Sequence, residues 1–565
     1  MWVNMGIWRR DVGMCVRLAD DALSQVKCSF ILETEIKRHP PRNCDLFLDP
    51  LGPFLDFFNN LTMLGLALLS VISIIYIFCT RKHLRLPPGP RPLPIIGNLH
   101  QAPRLDPWLE MEQWHKKYGP IVSFKMGQQT FVLLGTHKIV HDLLGKRSSI
   151  YSSRPRSIVA GECITKGLGI VFLPYGMKWR TQHRIQAEFI NPAISQRYRD
   201  LQDVETRQVV HDLLYSNDFS NIFHRFTSSL IFALAYGKRM PRGDEHEIVE
   251  IDKLMTYLSQ KMAPGKWMVD IFPVLNYLPR LLAPWKGIGD EFHGREARLF
   301  TDNMVDALKT RSWNWSKDMN RIKEAQGLSF TEMAYIIGVL YEAGSDTTSG
   351  ILNFFVLACL MFPEAVRKAH HELDQVVGSE KLPSFDDLPN LPYVDAFVKE
   401  VMRWRPLAPL GVPHSVIEDD EYMGYHIPKG ATILPNHWVL GTDTEVFDNP
   451  AGFMPERWID NPNLPFTAFG FGRRVCTGRH IAMNSLQITV ASVLWAYNID
   501  YAYEDGRKVD VNPLAMVQSA IPKPVPFKAD LQIRSPKHRE VIQSTWEGTK
   551  KDLDAIMEGV SKRTL

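Results

Sequence analysis

The segment from Leu61 to Thr80 stands out in the hydropathy pattern, because its twenty residues carry no formal charge. A helix of that length can cross the hydrocarbon core of a bilayer. A basic run at 81–85 follows the segment directly, whereas Asp49 and Asp56 precede it, and basic flanks stay on the cytosolic side. A cleaved signal peptide would need a shorter apolar region and a small-residue cleavage site. The pattern therefore predicts a transmembrane anchor, with the large carboxyl-terminal part in the cytosol.

From about residue 100 onward, the spacing of apolar residues predicts mainly helices with a minor strand component. Alternating and β-branched residues at Ile121 to Lys125 and at Thr130 to Leu134 flank a glycine turn and predict a hairpin. Ser329 to Glu332 has the capping-box pattern, and no proline follows until Pro363, which predicts one helix of about thirty residues. The small and polar residues at 343–349, in its middle, are poor helix formers and predict a local defect.

The composition fits a large folded enzyme and excludes several other classes. The chain has 565 residues, is 45% hydrophobic and has a formal net charge of +3, so it can bury a large core and shows no charge excess that favours nucleic acid. Its 7 cysteines lie far apart, without paired spacing, which is typical of reduced thiols rather than of a disulfide framework. The sequence has no CxxC or HExxH motif for zinc and no glycine fingerprint for a dinucleotide.

Composition also divides the chain. A proline-rich run, Leu86 to Asn98, predicts a semi-rigid extended spacer after the anchor. The residues before the anchor form either a short lumenal tail or, since Met63 offers another start, a mis-assigned amino terminus. Residues beyond about Ser535 read as a charged surface helix, to which we assign no function. The predicted parts are a tail at 1–60, an anchor at 61–80, a hinge at 81–99, a catalytic domain at 100–535 and an extension at 536–565.

A single cysteine lies in a glycine-rich loop that contains two arginines, Phe469 to Gly478, directly before an apolar stretch from Ile481 to Tyr497. A thiolate that binds iron must be shielded from water and steadied by backbone N–H groups, and glycines let the backbone wrap the sulfur. A buried structural cysteine at a glycine turn is the alternative. Cys476 is therefore a candidate metal ligand.

The spacing of five residues in this loop resembles the haem-binding loop of the cytochrome P450 family: Phe469, Gly472, Arg474, Cys476 and Gly478. The resemblance implies that Cys476 is the axial ligand of a haem b iron, to which the thiolate supplies electron density. It also implies that Arg474 pairs with a haem propionate and that Arg473 faces outward.

Two further motifs resemble the same family. In Ala343-Gly344-Ser345-Asp346-Thr347, the resemblance implies that Asp346 and Thr347 deliver protons for oxygen activation, while Ala343 and Gly344 leave room for dioxygen. A polar helix bend is the alternative. The order of Glu400, Arg403 and Arg457 resembles the buried Glu-Arg-Arg triad of the family, whose role is structural.

Further haem contacts are implied by resemblance alone. Trp179 is expected near a propionate, and the family usually has an arginine four residues later, where this chain has His183 followed by Arg184. Either of these two could take that role. His414 also falls where the family often contacts a propionate, although an ordinary loop histidine is the alternative.

The segments that the resemblance places around the substrate are largely apolar, which implies a lipophilic and flat or polycyclic substrate. Equally, each of these side chains could simply belong to the core. The segments are Ile158 to Leu173, Met255 to Phe272, Ile337 to Tyr341, Leu407 to Val412 and Gln518 to Ile521, with Met255, Leu258, Met262, Trp267, Phe272 and Leu410 prominent.

The resemblance as a whole implies a mainly α fold with small β-sheets (α+β) and one amino-terminal transmembrane helix. It implies a haem-thiolate monooxygenase of fungal secondary metabolism in the endoplasmic reticulum membrane. Electrons would come from NADPH-cytochrome P450 reductase, docked on a basic surface with Lys178, Arg180 and Arg473. The alternatives are a reductase-independent haem-thiolate isomerase or dehydratase, which the intact Asp346-Thr347 pair disfavours, and a membrane-tethered haem sensor or electron carrier.

Overall fold

The computed structural model describes residues 62, 63, 65, 69, 70, 85–103, 105–261, 267–519 and 521–562. The chain divides into two compact units, 1–83 and 84–565. The predicted tail and, apart from five positions, the predicted anchor Leu61 to Thr80 lie outside the described residues. Among the described residues, no single helix has the length and apolar composition needed to span a membrane, whereas one pair bent by 106°, Phe330–Met361 with Pro363–Val376, meets those criteria together.

The second unit is mainly helical. Its helices of ten residues or more are α1 (Pro107–Tyr118), α2 (Met177–Ile190), α3 (Arg199–Asp212), α4 (Phe219–Tyr236), α5 (His246–Lys261), α6 (Pro284–Lys309), α7 (Phe330–Met361), α8 (Pro363–Val376), α9 (Pro392–Trp404), α10 (Arg479–Ala496), α11 (Pro536–Gly548) and α12 (Leu553–Lys562). Shorter α-helical turns occur at His137–Val140, Ser148–Tyr151, Pro192–Ser195, Met268–Ile271, Trp315–Met319, His437–Leu440 and Glu456–Asp460. Two π-helical turns lie at His141–Lys146 and Ile158–Ile164.

The strands form small sheets at the periphery of the helices. They are β1 (Ile121–Met126), β2 (Gln129–Leu134), β3 (His414–Ser415), β4 (Asp420–Tyr422), β5 (Tyr425–Ile427), β6 (Thr432–Pro435), β7 (Tyr497–Tyr501), β8 (Tyr503–Glu504), β9 (Arg507–Lys508) and β10 (Ala529–Ile533). The largest described sheet has the order β1-β2-β6-β3, with β2 and β6 parallel and the other pairs antiparallel. The predicted hairpin is confirmed, one residue longer at the turn end of each strand. The mainly α prediction with small sheets is confirmed as well.

Helix α7 runs through the centre of the unit and confirms the predicted length, with Ser329 and Glu332 forming the capping box. The predicted local defect is wrong, because the helix continues unbroken through 343–349. There the hydroxyls of Ser345, Thr347 and Ser349 donate to carbonyls three or four residues earlier, so polar side chains are satisfied without a break in the backbone ladder.

The two ends of α7 are buried in different apolar clusters. Residues 334–337 and Tyr341 pack with α4 and α6, whereas residues 351–360 pack with α8, α9 and α10. Apolar burial of this extent is what holds a polar stretch such as 343–349 at a defined position. The candidate site is therefore positioned by a helix that is anchored in apolar clusters at both of its ends.

The structure adds detail to two predicted parts. The proline-rich run contacts β1: the carbonyl of Pro88 accepts from Ser123 N at 2.9 Å and that of Pro87 accepts from Ser123 Oγ at 2.5 Å. The extension is two helices, not one surface helix. Val541 and Ile542 of α11 and two residues of α12 are buried in the main clusters, because each helix presents an apolar face.

Candidate active site

The cysteine loop is shaped by glycines that no other residue could replace. Gly470 and Gly472 have φ angles of 78° and 55°, in the left-handed region. A Cβ at Gly472 would lie 2.1 Å from the carbonyl oxygen of Leu144, so this backbone is pressed against the π-helical turn that contains Leu144. The N–H of Cys476 donates to the Phe469 carbonyl at 2.8 Å, which closes the loop just before α10 begins.

The sulfur of Cys476 is accessible, although protein surrounds the residue. Burial is the largest influence and raises the pKa of its thiol, while the N–H groups of Gly478 and Arg479 and the charge of Arg479 act in the opposite direction. These donors would steady a thiolate, which is the form that binds metals. Cys476 thus presents one soft ligand atom at the end of the loop.

Two partly buried guanidinium groups lie near this loop without a carboxylate partner among the described residues. Arg474 donates to the carbonyls of Ser152 at 2.8 Å and Leu173 at 2.7 Å, and Arg154 donates to that of Pro413 at 2.5 Å. Burial lowers the pKa of Arg474 to about 10 and that of Arg154, which Arg474 also repels, to about 9. Among the described residues neither arginine has an acidic partner, so the pair forms a corner that favours a bound anion.

Aromatic and imidazole groups complete this corner. The guanidinium carbon of Arg474 lies 4.4 Å from the ring centre of Trp179, and His183 stacks on the same tryptophan at 4.7 Å. His414 is buried, and its Nδ1 lies 2.8 Å from the Tyr151 carbonyl. Burial and then the charge of Arg154 lower the pKa of His414 to about 3, so it is neutral here.

The structure distinguishes His183 from Arg184, the two residues between which the sequence could not decide. His183 faces Arg474, since burial and the charge of Arg474 together lower its pKa. Arg184 is exposed. Sequence reasoning missed Arg154, because an arginine before a proline in a polar loop carries no spacing signal by itself.

On the opposite side, α7 presents the acid and alcohol. Asp346 is ion-paired with Lys523, a contact that sequence reasoning also missed. Thr347 Oγ1 donates to the Ala343 carbonyl at 2.7 Å. A Cβ at Gly344 would lie 2.6 Å from Ile231, so the glycine lets α4 approach α7, while Ala343 is exposed.

The predicted triad is assembled in the structure. Arg403 donates to both carboxyl oxygens of Glu400, at 2.9 and 2.7 Å, and Arg457 Nε lies 3.3 Å from one of them. Trp458 Nε1 donates to the other oxygen at 2.9 Å. All four side chains are buried, so the charges are fully paired in a low-dielectric setting.

The apolar segments expected around a substrate pack largely against one another. Leu258 and Trp267 contact the π-helical turn Ile158–Ile164, and Leu410 packs against the main core. Met262 lies outside the described residues. These side chains therefore contribute to the packing of the protein, and any that also face a ligand have both roles.

The donor set fits a haem. An exposed cysteine with N–H support, two partly buried guanidinium groups without acids and a stacked tryptophan match a flat iron complex that carries two carboxylates. The fit rests on the unpaired cations in particular, because taking two arginines partly out of water without an anion is unfavourable.

Comparison with known proteins agrees with this geometry. Residues 87–527 match the family model described as Cytochrome P450. The chain is 46% identical to Cytochrome P450 monooxygenase aneD of Aspergillus aculeatus over 88% of this chain and 96% of the relative. It is 43% identical to Cytochrome P450 monooxygenase FrzL of Cladobotryum sp, covering 86% and 95%, and 41% identical to Echilunin cytochrome P450 monooxygenase of Aspergillus ruber, covering 86% and 91%. The chain therefore belongs to the cytochrome P450 family of monooxygenases.

Proposed function

We propose that this enzyme inserts one oxygen atom from dioxygen into a lipophilic small molecule of fungal secondary metabolism. The observation that carries the proposal is the exposed Cys476 in a loop near two partly buried arginines, Arg154 and Arg474, that lack acidic partners among the described residues. The similarity to fungal proteins named cytochrome P450 monooxygenases supports the monooxygenase class. The substrate class rests on the apolar character of the segments around the site.

Haem b, when bound to Cys476, supplies the redox centre that activates dioxygen. The role of the protein is to hold this group and to control water and protons around it. Arg474 and Arg154 would each donate to a haem carboxylate, with Trp179 and His414 beside them. These guanidinium groups are already fixed by backbone carbonyls, so little side-chain entropy is lost on binding.

Proton control is assigned to α7. The carboxylate of Asp346 belongs to the residue next to Thr347. Rotation about one side-chain bond would release the Thr347 hydroxyl from its hydrogen bond to the Ala343 carbonyl. Such an acid and alcohol can pass protons in steps without opening the pocket to bulk water. The ion pair with Lys523 fixes where the Asp346 carboxylate lies.

Electrons are proposed to come from NADPH-cytochrome P450 reductase at the endoplasmic reticulum membrane, with residues 61–80 as the anchor. Lys178, Arg180 and Arg473 are exposed. Arg180 and Arg473 both lie over the Tyr175 ring, at 5.5 and 5.3 Å. This basic surface is on the side of the cysteine loop, which suits an acidic electron donor.

The test is the carbon monoxide difference spectrum of the reduced, haem-loaded protein, compared with Cys476→Ala. Cys163→Ala is the matched control, because Cys163 is also a free thiol but lies in a different cluster. We expect the long-wavelength Soret band of thiolate ligation in the wild type and in the control, and its loss in Cys476→Ala. A haem-loaded wild type without that band would overturn the proposal.

A further inference from the structure

Two carboxylic side chains that the proposed function does not use lie together where α6 packs on α7. Glu342 directly precedes Ala343 on α7, and Glu296 of α6 is 2% exposed. The two carboxyl groups lie close enough for each to influence the pKa of the other. Among the described residues, neither takes part in an ion pair, and Oε1 of Glu342 is buried without a hydrogen-bond partner.

Two carboxyl groups in contact, without a cation, cannot both be ionised. Burial is the main cause that raises the pKa of each, and it raises that of Glu342 well above its ordinary value, with Glu296 as the next cause. One proton therefore stays between the two groups at neutral pH, as in other carboxylate pairs. The carboxyl pair of Glu296 and Glu342, called the store below, therefore keeps a proton inside the fold.

A hydrogen-bonded chain leads from this store toward the outside. The Tyr335 hydroxyl donates to Glu296 Oε2 at 2.8 Å, and His293 Nδ1 lies 2.8 Å from the Tyr335 oxygen. The same Nδ1 is 3.0 Å from the Ile164 carbonyl. Since a carbonyl oxygen can only accept, Nδ1 is the nitrogen that carries hydrogen. That one hydrogen lies within reach of both the Ile164 carbonyl and the Tyr335 oxygen, and the Tyr335 hydroxyl donates inward to Glu296.

The four residues of this chain lie on the sides of α6 and α7 that face each other. Tyr335 and Glu342 are seven residues apart on α7, and His293 and Glu296 are three apart on α6, so each pair shares one face. His293 is half-buried beside the exposed Glu291, and burial lowers its pKa. Its Nε2 is thus the point at which a proton can enter from solvent.

Among the described residues, no cation pairs with either carboxyl group of the store. Glu342 acts on the hydroxyls of Tyr236 on α4 and Tyr341 on α7, and Glu247 and Asp252 of α5 also act on Tyr341. Lys166 and Asp290 act on His293 and are ion-paired with each other. The shared proton therefore stays on the carboxyl pair.

The inner end of the chain lies one helical turn from the acid of the proposed relay. Glu342 and Asp346 are four residues apart on α7 and so lie on one side of the helix. Asp346 is held by Lys523, which keeps its carboxylate paired with a cation, whereas the Glu342 pair holds a proton ready to leave. Asp346 is thus held as an ion-paired carboxylate and the Glu342 pair holds a proton, and both acids would serve proton delivery to the pocket.

We propose that Glu342 and Glu296 form a proton reservoir for the distal pocket, refilled through Tyr335 and His293. A solvent proton binds His293 Nε2, the Nδ1 proton passes to the Tyr335 oxygen, and the Tyr335 proton passes to Glu296 Oε2. The proton that the carboxyl pair held leaves from Glu342 toward the pocket beside Ala343. No electron moves in these steps, and the inference rests on the proposed function only for the use of the delivered proton.

The first test is infrared spectroscopy of the haem-loaded enzyme at neutral pH. We expect a carbonyl band of a protonated carboxylic acid that shifts in heavy water, and its loss in both Glu342→Gln and Glu296→Gln. Glu291→Gln, an exposed change on the same helix, should leave the band intact. A wild type without such a band would overturn the proposal, whether or not the enzyme is active.

The second test follows NADPH oxidation with reductase and dioxygen as the only electron acceptor. In Glu342→Gln and Tyr335→Phe we expect the rate to fall about tenfold or more and the solvent isotope effect to rise, as for loss of a general acid. Glu291→Gln should match the wild type. Wild-type rates in Glu342→Gln would overturn the reservoir, whereas failure of the proposed function itself would appear separately, as a missing thiolate Soret band.

Discussion

Lys523 and Asp346 form an ion pair in which both side chains are largely buried, at 33% and 21% exposure. The stem of Lys523 also runs close to α7, because a Cβ at Gly350 would lie 3.6 Å from Lys523 Cγ. Lys523 lies two residues after the segment Gln518 to Ile521, which we expect to line the substrate pocket. The position of the acid on α7 is therefore coupled to the loop that carries Lys523.

Removing the charge of Lys523 should impair proton delivery without affecting haem ligation. In Lys523→Met the Asp346 carboxylate loses its only described ion-pair partner, so we expect slower NADPH oxidation with reductase and dioxygen. The loss should be smaller than in Asp346→Asn, for which we expect about 10²-fold. Lys523→Arg, which keeps the charge, should retain most of the rate, and equal rates in Lys523→Met and the wild type would contradict this role.

Arg474 and Arg473 are adjacent in the cysteine loop but differ in burial, which gives a matched pair of variants. Arg474→Leu should speed haem loss to an acceptor protein by about tenfold to a hundredfold, the equivalent of one charge-assisted hydrogen bond. Arg473→Leu should leave haem loss unchanged, because Arg473 is exposed and donates to Tyr175. If both variants lose haem at the wild-type rate, Arg474 does not hold a carboxylate.

Glu400→Gln should be strongly destabilising, because it leaves Arg403 and Arg457 as buried charges without a counter-ion. We expect the free energy of unfolding to fall by about 3–5 kcal/mol. Glu456→Gln breaks a more exposed ion pair with Lys368 and should cost less than about 1 kcal/mol. Denaturant titration of the haem-loaded proteins measures both, and similar losses would contradict a buried triad.

His437 should make the fold sensitive to acid. It is buried and stacks on Phe471 at 5.2 Å, and burial, with a smaller effect of His137, lowers its pKa from 6.5 to about 4. Between those two values the unfolded chain binds a proton that the folded protein does not, so stability falls as pH falls, by up to about 1.4 kcal/mol per pH unit.

This prediction is checked by measuring the free energy of unfolding at several pH values from 7 to 4. That range covers the pKa of His437 in the unfolded and in the folded protein. His437→Gln should reduce the slope, whereas His371→Gln, at an exposed position on α8, should not. An unchanged slope in His437→Gln would assign the acid sensitivity to other groups.

The sequence predicted those features that depend on short-range spacing. The capping box and the absence of proline were sufficient for α7, and five residues of the cysteine loop were sufficient for the family. Contacts between distant segments were out of reach: Arg154 and Arg474 are 320 positions apart in the chain, and Lys523 reaches Asp346 only because the loop before β10 folds back on α7.

The errors have physical reasons as well. Polar residues at 343–349 suggested a break in α7, but hydroxyls that bond to the preceding turn let the helix continue. The extension suggested one charged surface helix, whereas it forms two helices with buried apolar residues. In both cases, contacts that the sequence pattern does not display decided the outcome.

Helix α12 also supports the cysteine segment from a distance in the chain. Met557 and Val560 of α12 belong to the same apolar cluster as Ile481, five residues after Cys476. A protein shortened before Leu553 would lose this packing and expose apolar surface beside the segment that carries the proposed iron ligand.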